Sequence, residues 1–145
     1  MQNNSLVPER VLVIVAHPDD MEFTCGGTIA KWAEAGSKIC LVLATSGDKG
    51  TKDRNKSPFH IAEIREQEQK KAAEVLGISE VIFLRHLDGE LEVTMDFRRQ
   101  ISTIIRKFEP NALITHDPWR AYQIHPDHRA VGMVSIDAIV AARDH

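Results

Sequence analysis

The sequence is poor in cysteine and has no long apolar run. Two cysteines among 145 residues are too few for the disulfide framework of a small secreted domain. We expect Cys25 and Cys40 to be buried as small apolar side chains, neither paired nor bound to a metal. No apolar stretch approaches the roughly 20 residues that span a bilayer, and residues 1–10 contain no apolar signal segment. We therefore expect no membrane insertion and a location in the reducing cytoplasm.

Positive charge is not in excess either. Lysine and arginine number 18 against 21 acidic residues, which gives a net charge of −3 at pH 7 with neutral histidines. The sequence contains no basic run and no basic patch interleaved with aromatic residues, so nucleic acid is not an expected partner. The length is enough for one domain with a buried core.

Apolar strand patterns alternate with amphipathic helix patterns along the whole chain. We expect strands at 10–16, 38–45, 80–84 and 111–115, and helices at 26–35, 60–76, 95–108 and 128–142. Gly77 and Pro110 end the second and third helices, and Thr94 caps the third. This alternation predicts an α/β fold, a Rossmann-like three-layer sandwich with a mostly parallel sheet. Because no strand follows the last helix, one sheet edge is expected to be exposed. Either another chain covers this edge or the domain is shortened at its C-terminus, and we favour the second interpretation.

Two clusters of histidine and aspartate follow predicted strands. The segment HPDDME at 17–22 follows the apolar run at 11–16, and HPDH at 125–128 follows the fourth strand and a polar loop. The carboxyl ends of parallel strands meet at one edge of a sheet, where ligands bind in open α/β folds. Imidazole and carboxylate groups at that edge point to a divalent metal with an open coordination position. The pattern is typical of a metal-dependent hydrolase.

The first cluster can divide two tasks between neighbouring carboxylates. Pro18 disfavours helical backbone at His17, so the chain is expected to turn sharply as it leaves the strand. Asp19 and Asp20 then point in different directions. One of them can bind a metal while the other takes a proton from a water at the open position.

The clusters and the residues around them resemble the PIG-L or LmbE-like family of N-acetylglucosaminyl-phosphatidylinositol deacetylases. The similar segments follow one another in order: AHPDDME at 16–22, CGGTIA at 25–30, REQE at 65–68, LDGEL at 87–91 and HPDHR at 125–129. Segments 45–51 and 117–122 are most similar to the diacetylchitobiose deacetylase branch. Family members are longer, so the resemblance describes residues 1–145 as a single LmbE-like deacetylase domain without the usual C-terminal part.

The resemblance implies removal of the acetyl group from an N-acetylglucosamine-type amine by attack of a metal-activated water. By motif position, His17, Asp20 and His128 would be the metal ligands, and Asp19 the general base. Zinc is the expected ion, with iron(II) as a substitute under reducing conditions. The expected partners are a small amino-sugar or glycoconjugate substrate and further copies of the chain, in a trimer or hexamer.

The resemblance also implies supporting roles near the second cluster. His125 would stabilise the oxyanion or protonate the leaving amine, and Asp127 would orient it; we expect Asp127 to raise the pKa of His125. Asp127 can equally be a helix N-cap. Arg65, His116 and Trp119 are candidate substrate contacts. Alternatively, Arg65 is a solvated helix charge and His116 caps the end of a strand.

Three other functions stay open. A metal phosphoesterase would place two ions about 4 Å apart and would want more carboxylate ligands than these loops offer. A nucleotide-binding Rossmann-like module is disfavoured because CGGT at 25–28 is not G-x-G-x-x-G, and Asp19 and Asp20 would repel a phosphate. The third alternative is a metal-stabilised assembly subunit without catalysis.

Overall fold

The chain forms a parallel sheet covered by helices on both faces. The computed structural model describes residues 6–122 and 124–144. In this part of the chain the elements are β1 (Arg10–Val15), α1 (Asp20–Glu34), β2 (Lys38–Thr45), α2 (Pro58–Leu76), β3 (Glu80–His86), α3 (Met95–Phe108), β4 (Ala112–Thr115) and α4 (Pro126–Arg143). All strand pairs are parallel and their order is β3-β2-β1-β4. The predicted α/β class and Rossmann-like sandwich are confirmed.

The two faces of the central strand belong to different apolar cores. Leu12 and Ile14 of β1 pack on the face that carries α3 and α4. Val11 and Val13 pack on the face that carries α1 and the end of α2. A strand buried on both faces reads as a continuous apolar run, which is why β1 and β2 show no polar alternation. Cys40 lies in this interior, where burial raises the pKa of its thiol to about 12; Cys25 is half-buried, and both thiols are free.

The predicted end of α2 and the predicted bounds of α3 are confirmed. Gly77 ends α2 in the left-handed conformation at φ 73°, which glycine adopts without the steric cost of a side chain. The Thr94 side chain accepts a hydrogen bond from the Phe97 N–H, and α3 has the predicted bounds. Phe97 and Ile101 of this helix are buried in the core.

The predicted start of α1 at residue 26 is wrong, because the helix begins at Asp20. We expected residues 20–25 to belong to the loop after β1, but they form the first part of the helix. Asp19 takes the left-handed conformation at φ 82°, so the chain turns from β1 into the helix within the four residues 16–19. Asp20 therefore lies in the first turn of α1. Smaller differences of two residues are that α2 begins at Pro58, that α4 begins at Pro126 and that β3 continues to His86.

The strand order positions the functional clusters. The chain runs from β1 to β2 to β3 on one side and then crosses to β4 on the other side of β1. The point where the order reverses is where ligands bind in open α/β sheets. His17 follows β1 and His116 follows β4, so both lie at this point. Among the helices that the structure describes, none is long and apolar enough to cross a membrane. The assignment of residues 1–145 to a single domain stays a prediction.

Candidate metal centre

The three predicted ligands come together at the switch point of the sheet. Asp20 Oδ2 lies 3.4 Å from His17 Nδ1 and 3.2 Å from His128 Nε2. The ligand atoms of these three residues all lie within 4.8 Å of one another. His17 comes from the end of β1, Asp20 from the first turn of α1 and His128 from the first turn of α4. Their roles as ligands stay a prediction.

The donor set fits a divalent cation. Two atoms bound to a tetrahedral zinc at about 2.1 Å are about 3.4 Å apart, which is close to the spacing around Asp20. Burial alone would raise the pKa of Asp20, but its contacts with the imidazoles of His128 and His17 and the hydrogen bond from the His17 backbone N–H hold that pKa well below the usual range. The carboxylate is therefore ionised, as a metal ligand must be.

The far edge of the His17 ring is held by two buried carboxylates. His17 Nε2 lies 2.9 Å from Asp127 Oδ2 and 3.1 Å from Asp88 Oδ1. Asp127 also accepts hydrogen bonds from the Gly89 N–H at 2.7 Å and the Leu91 N–H at 3.2 Å. A carboxylate behind a metal-binding imidazole fixes the orientation of the ring and raises its basicity. Asp127 thus ties the loop after β3 to His17 and leaves His17 Nδ1 facing Asp20.

His125 is the N-cap of α4, and its tautomer follows from that contact. Its Nδ1 accepts a hydrogen bond from the Asp127 N–H at 3.2 Å, so the neutral ring carries its proton on Nε2. Burial and the neighbouring His17 lower the pKa of His125. The prediction of a raised pKa is wrong: the charge of Asp127 acts in the expected upward direction, but burial and His17 outweigh it. The alternative of Asp127 as the N-cap is also wrong, since His125 has that position.

Asp19 and Asp20 do point in different directions. The Asp19 side chain is 65% exposed, and its Oδ2 accepts a hydrogen bond from Arg65 Nη2 at 3.1 Å. The Asp19 N–H donates to Gln69 Oε1 at 3.2 Å. A left-handed conformation is uncommon outside glycine and is favoured at strained, functional positions. With this backbone the Asp19 carboxylate contacts Arg65, whereas the Asp20 carboxylate contacts the imidazoles.

Arg65 is packed against the backbone of the site. Its guanidinium donates to the Pro18 carbonyl at 2.9 Å and to the Gly47 carbonyl at 3.2 Å. Gly47 has a left-handed φ of 63°, and a Cβ there would lie 2.2 Å from Arg65 Nη1, so a side chain would strain the backbone and displace the guanidinium. The interpretation of Arg65 as a solvated helix charge is therefore wrong. Contact between Arg65 and a substrate stays a prediction.

The other two candidate substrate contacts lie in different surroundings. The His116 side chain is 8% exposed, and its ring stacks on the His128 ring with centroids 4.1 Å apart and planes at 8°. Trp119 is exposed, and its backbone N–H donates to Asp117 Oδ1. In the described part of the chain, the ring contacts of the site histidines do not include the Trp119 indole.

Sequence reasoning gave no role to Asp88 or Gln69. Asp88 follows the third strand in the segment LDGEL, so the rule that strand ends meet could have grouped it with His17. Gln69 bridges the Asp19 N–H and the Glu22 carboxylate. It stands among other polar residues of α2, and nothing in the local sequence distinguishes it.

Comparison with known proteins gives the family. The PIG-L family model, described as GlcNAc-PI de-N-acetylase, matches residues 12–139. The chain belongs to this family, as the two histidine clusters indicated.

Individual relatives show how much of the family architecture is present. The diacetylchitobiose deacetylase of Thermococcus kodakarensis is 40% identical over 131 residues, which cover 90% of this chain and 49% of that protein. The N,N'-diacetylchitobiose deacetylase of Pyrococcus horikoshii, in complex with its inhibitor MPG, superposes with a TM-score of 0.91 at 35% identity, over 96% of this chain and 52% of that one. GalB, the 4-carboxy-2-hydroxymuconate hydratase of Pseudomonas putida, has a TM-score of 0.85 at 24% identity over 94% of this chain and 57% of that one, which shows the fold alone. The chain spans about half the length of the relatives it matches.

Proposed function

We propose that this chain carries the metal site and the catalytic groups of an N-deacetylase that acts on an N-acetylglucosamine-type substrate. The observation that supports it most is the grouping of His17, Asp20 and His128, with the separate carboxylate of Asp19 on the adjacent residue. Amide hydrolysis at a metal needs this separation of ligands from the base. Family membership and the names of the relatives give the substrate class.

Zinc is the ion that we propose for the site, with iron(II) as its substitute. Two imidazoles and one carboxylate form a donor set that leaves an open position on zinc. When bound, such an ion lowers the pKa of water and polarises a carbonyl group. Among the residues of the chain, His17, Asp20 and His128 would hold the ion, while Asp88 and Asp127 would keep His17 in its orientation.

The remaining groups would move protons at defined atoms. Asp19 would accept a proton from the attacking water as the new C–O bond forms at the acetamide carbon. His125, whose neutral ring carries a proton on Nε2, would donate a hydrogen bond to the developing oxyanion. Breaking of the C–N bond then requires a proton on the leaving nitrogen, which the protonated Asp19 or His125 would supply. The products are acetate and the free amine.

The phosphoesterase alternative depends on a second ion beside the first. His17, Asp88, His125 and Asp127 also have ligand atoms within 4.8 Å of one another. Both carboxylates in this group already accept backbone hydrogen bonds, Asp127 from Gly89 and Leu91 and Asp88 from Lys49. These contacts favour a supporting role for the two carboxylates, and we therefore propose one ion per chain.

The test measures metal content and acetate release together. Purified protein is stripped with a chelator, reloaded with zinc, and assayed on N-acetylglucosamine, its β-linked dimer and simple N-acetylglucosaminides. We expect about one ion per chain and acetate release that disappears on stripping and returns with zinc. Asp96→Asn, at an exposed position of α3, is the control and should behave as the wild type. Two ions per chain with phosphoester hydrolysis would support the alternative and refute the deacetylase.

Domain organisation and assembly are proposed with the function. We propose that residues 1–145 form one domain, which predicts a single cooperative unfolding transition in calorimetry. We also propose that the protein forms a homo-oligomer, a trimer or hexamer, which light scattering would detect. A monomer under assay conditions would refute the assembly without affecting the metal site.

A further inference from the structure

His116 contacts all three chain segments that carry the candidate metal ligands. Its Nε2 lies 3.3 Å from the backbone N of Ala16, the residue before His17. The same nitrogen lies 3.3 Å from Asp20 Oδ2. Its ring is stacked on His128 at 4.1 Å. One nearly buried side chain therefore joins the end of β1, the start of α1 and the start of α4.

The hydrogen bond from Ala16 determines what His116 can do. The Ala16 N–H donates to Nε2, and a nitrogen that accepts this bond cannot also donate to Asp20. The neutral ring then carries its proton on Nδ1. His116 is also absent from both groups of described residues whose ligand atoms are mutually within 4.8 Å. With these contacts His116 supports the ligand residues and is not itself a fourth ligand.

We propose that His116 is a positioning residue for the metal centre. Its stacked ring fixes the plane of His128, so that His128 Nε2 faces Asp20, and its bond to Ala16 fixes its own ring in turn. This role differs from the substrate contact predicted from the sequence. The inference rests on the proposed function only in assuming that a divalent ion binds at this site, and it needs no substrate.

Gly132 sets the distance between the two stacked rings. It lies one turn after His128 on the same face of α4. A Cβ at Gly132 would lie 2.4 Å from the His116 carbonyl oxygen and 3.0 Å from Pro118 Cδ. Any side chain there would push α4 away from the end of β4 and separate His128 from His116. The backbone contact at Gly132 is thus a second observation that connects the same two segments.

The experiment measures metal affinity without substrate. Zinc affinity is determined by competition with a chromophoric chelator, and the visible absorption of the cobalt(II) form reports the coordination. His116→Ala should weaken zinc binding by roughly 10–100-fold, the usual effect of removing a supporting residue. His116→Phe keeps a ring to stack on His128 and should recover part of the loss. Gly132→Ala should also weaken binding, whereas Gly27→Ala, a helical glycine with open space around it, should not.

Several results would overturn the inference. Wild-type zinc affinity in His116→Ala would do so, and a cobalt(II) spectrum showing one ligand fewer would make His116 a ligand. A raised KM with unchanged zinc affinity would instead support the prediction that His116 contacts the substrate. Phe and Ala variants of equal affinity would refute the stacking. If His116→Ala unfolds without metal, His116→Asn, which keeps an acceptor for Ala16, replaces it. A chain that binds zinc as expected but releases no acetate would refute the proposed function alone.

Discussion

Two groups of buried acids lie beyond the carboxyl ends of the same sheet, and they are partnered in different ways. At the ends of β2 and β3, Glu66 accepts hydrogen bonds from the Ser46 hydroxyl at 2.6 Å and from Arg85 through two nitrogens at 2.9 and 3.0 Å. We call these three residues the Glu66 group. At the ends of β1 and β4, the carboxylates of Asp20 and Asp127 face the imidazoles of the candidate metal centre.

The two groups of acids differ because one is paired with an arginine and the other with histidines. An arginine is always charged and binds a carboxylate with two parallel hydrogen bonds, so the Glu66 group is electrically complete. A neutral imidazole carries no charge, so a carboxylate that faces such rings is not neutralised and keeps its charge available for a cation. A groove of about 1080 Å³ is lined by Glu66 and Arg85, so the volume of a groove does not by itself indicate the metal centre. The chemistry of the partners distinguishes the two regions better than volume does.

The largest predicted effect is on metal binding. His128→Ala removes an imidazole from the metal centre, and we expect it to abolish stoichiometric binding, measured as metal content after gel filtration. His60→Ala, at an exposed position of α2, is the matched control and should keep one ion per chain. Unchanged metal content in His128→Ala would remove His128 from the ligand set.

Next in size is the loss of the proposed base. Asp19→Asn preserves size and can still accept a hydrogen bond from Arg65, but it cannot accept the proton of water. We expect turnover to fall by about 10²–10⁴-fold while metal content stays at the wild-type level. If the metal is lost together with activity, the roles of Asp19 and Asp20 have been exchanged.

His125 should matter for turnover more than for binding. His125→Ala removes the Nε2 donor, and we expect kcat to fall by about 10²–10³-fold, the usual effect of one oxyanion donor, with zinc retained and KM nearly unchanged. Alanine also removes the N-cap of α4. His125→Ser restores an acceptor for the Asp127 N–H but should stay equally slow. Wild-type kcat in the serine variant would exclude a catalytic role for the ring.

The smallest effect is expected in the Glu66 group. Glu66→Gln should lower the unfolding midpoint by roughly 3–10 °C and leave metal content unchanged. The hydrogen bonds from Arg85 lower the pKa of Glu66 below its ordinary value of 4.5, against the opposing effect of burial. A lowered folded-state pKa stabilises the protein above the unfolded value, and this contribution is lost as the pH falls through the folded value.

The stability difference between wild type and Glu66→Gln should therefore be constant at neutral pH and shrink below about pH 4.5. Thermal unfolding across this range measures it. Loss of metal in Glu66→Gln would contradict the distinction between the two regions.

The parts of the fold that follow local rules were predictable. The bounds of α3 follow from its apolar spacing and the Thr94 cap, and the end of α2 from Gly77. The start of α1 could not be read this way, because it depends on a left-handed Asp19. Nothing in the local sequence distinguishes residues 20–25 inside a helix from a loop that ends before Gly26.

The sequence by itself determined the fold class, the family and the two clusters at the strand ends, because apolar periodicity, caps and motifs are encoded in neighbouring residues. Only the tertiary structure decided which side chains meet. Asp127 bonds to His17 across 110 positions, although His125 is two residues away. His116 supports His128 because Gly132 lets α4 approach the end of β4. Such partners depend on close packing between elements, and packing is a property of the assembled sheet and helices.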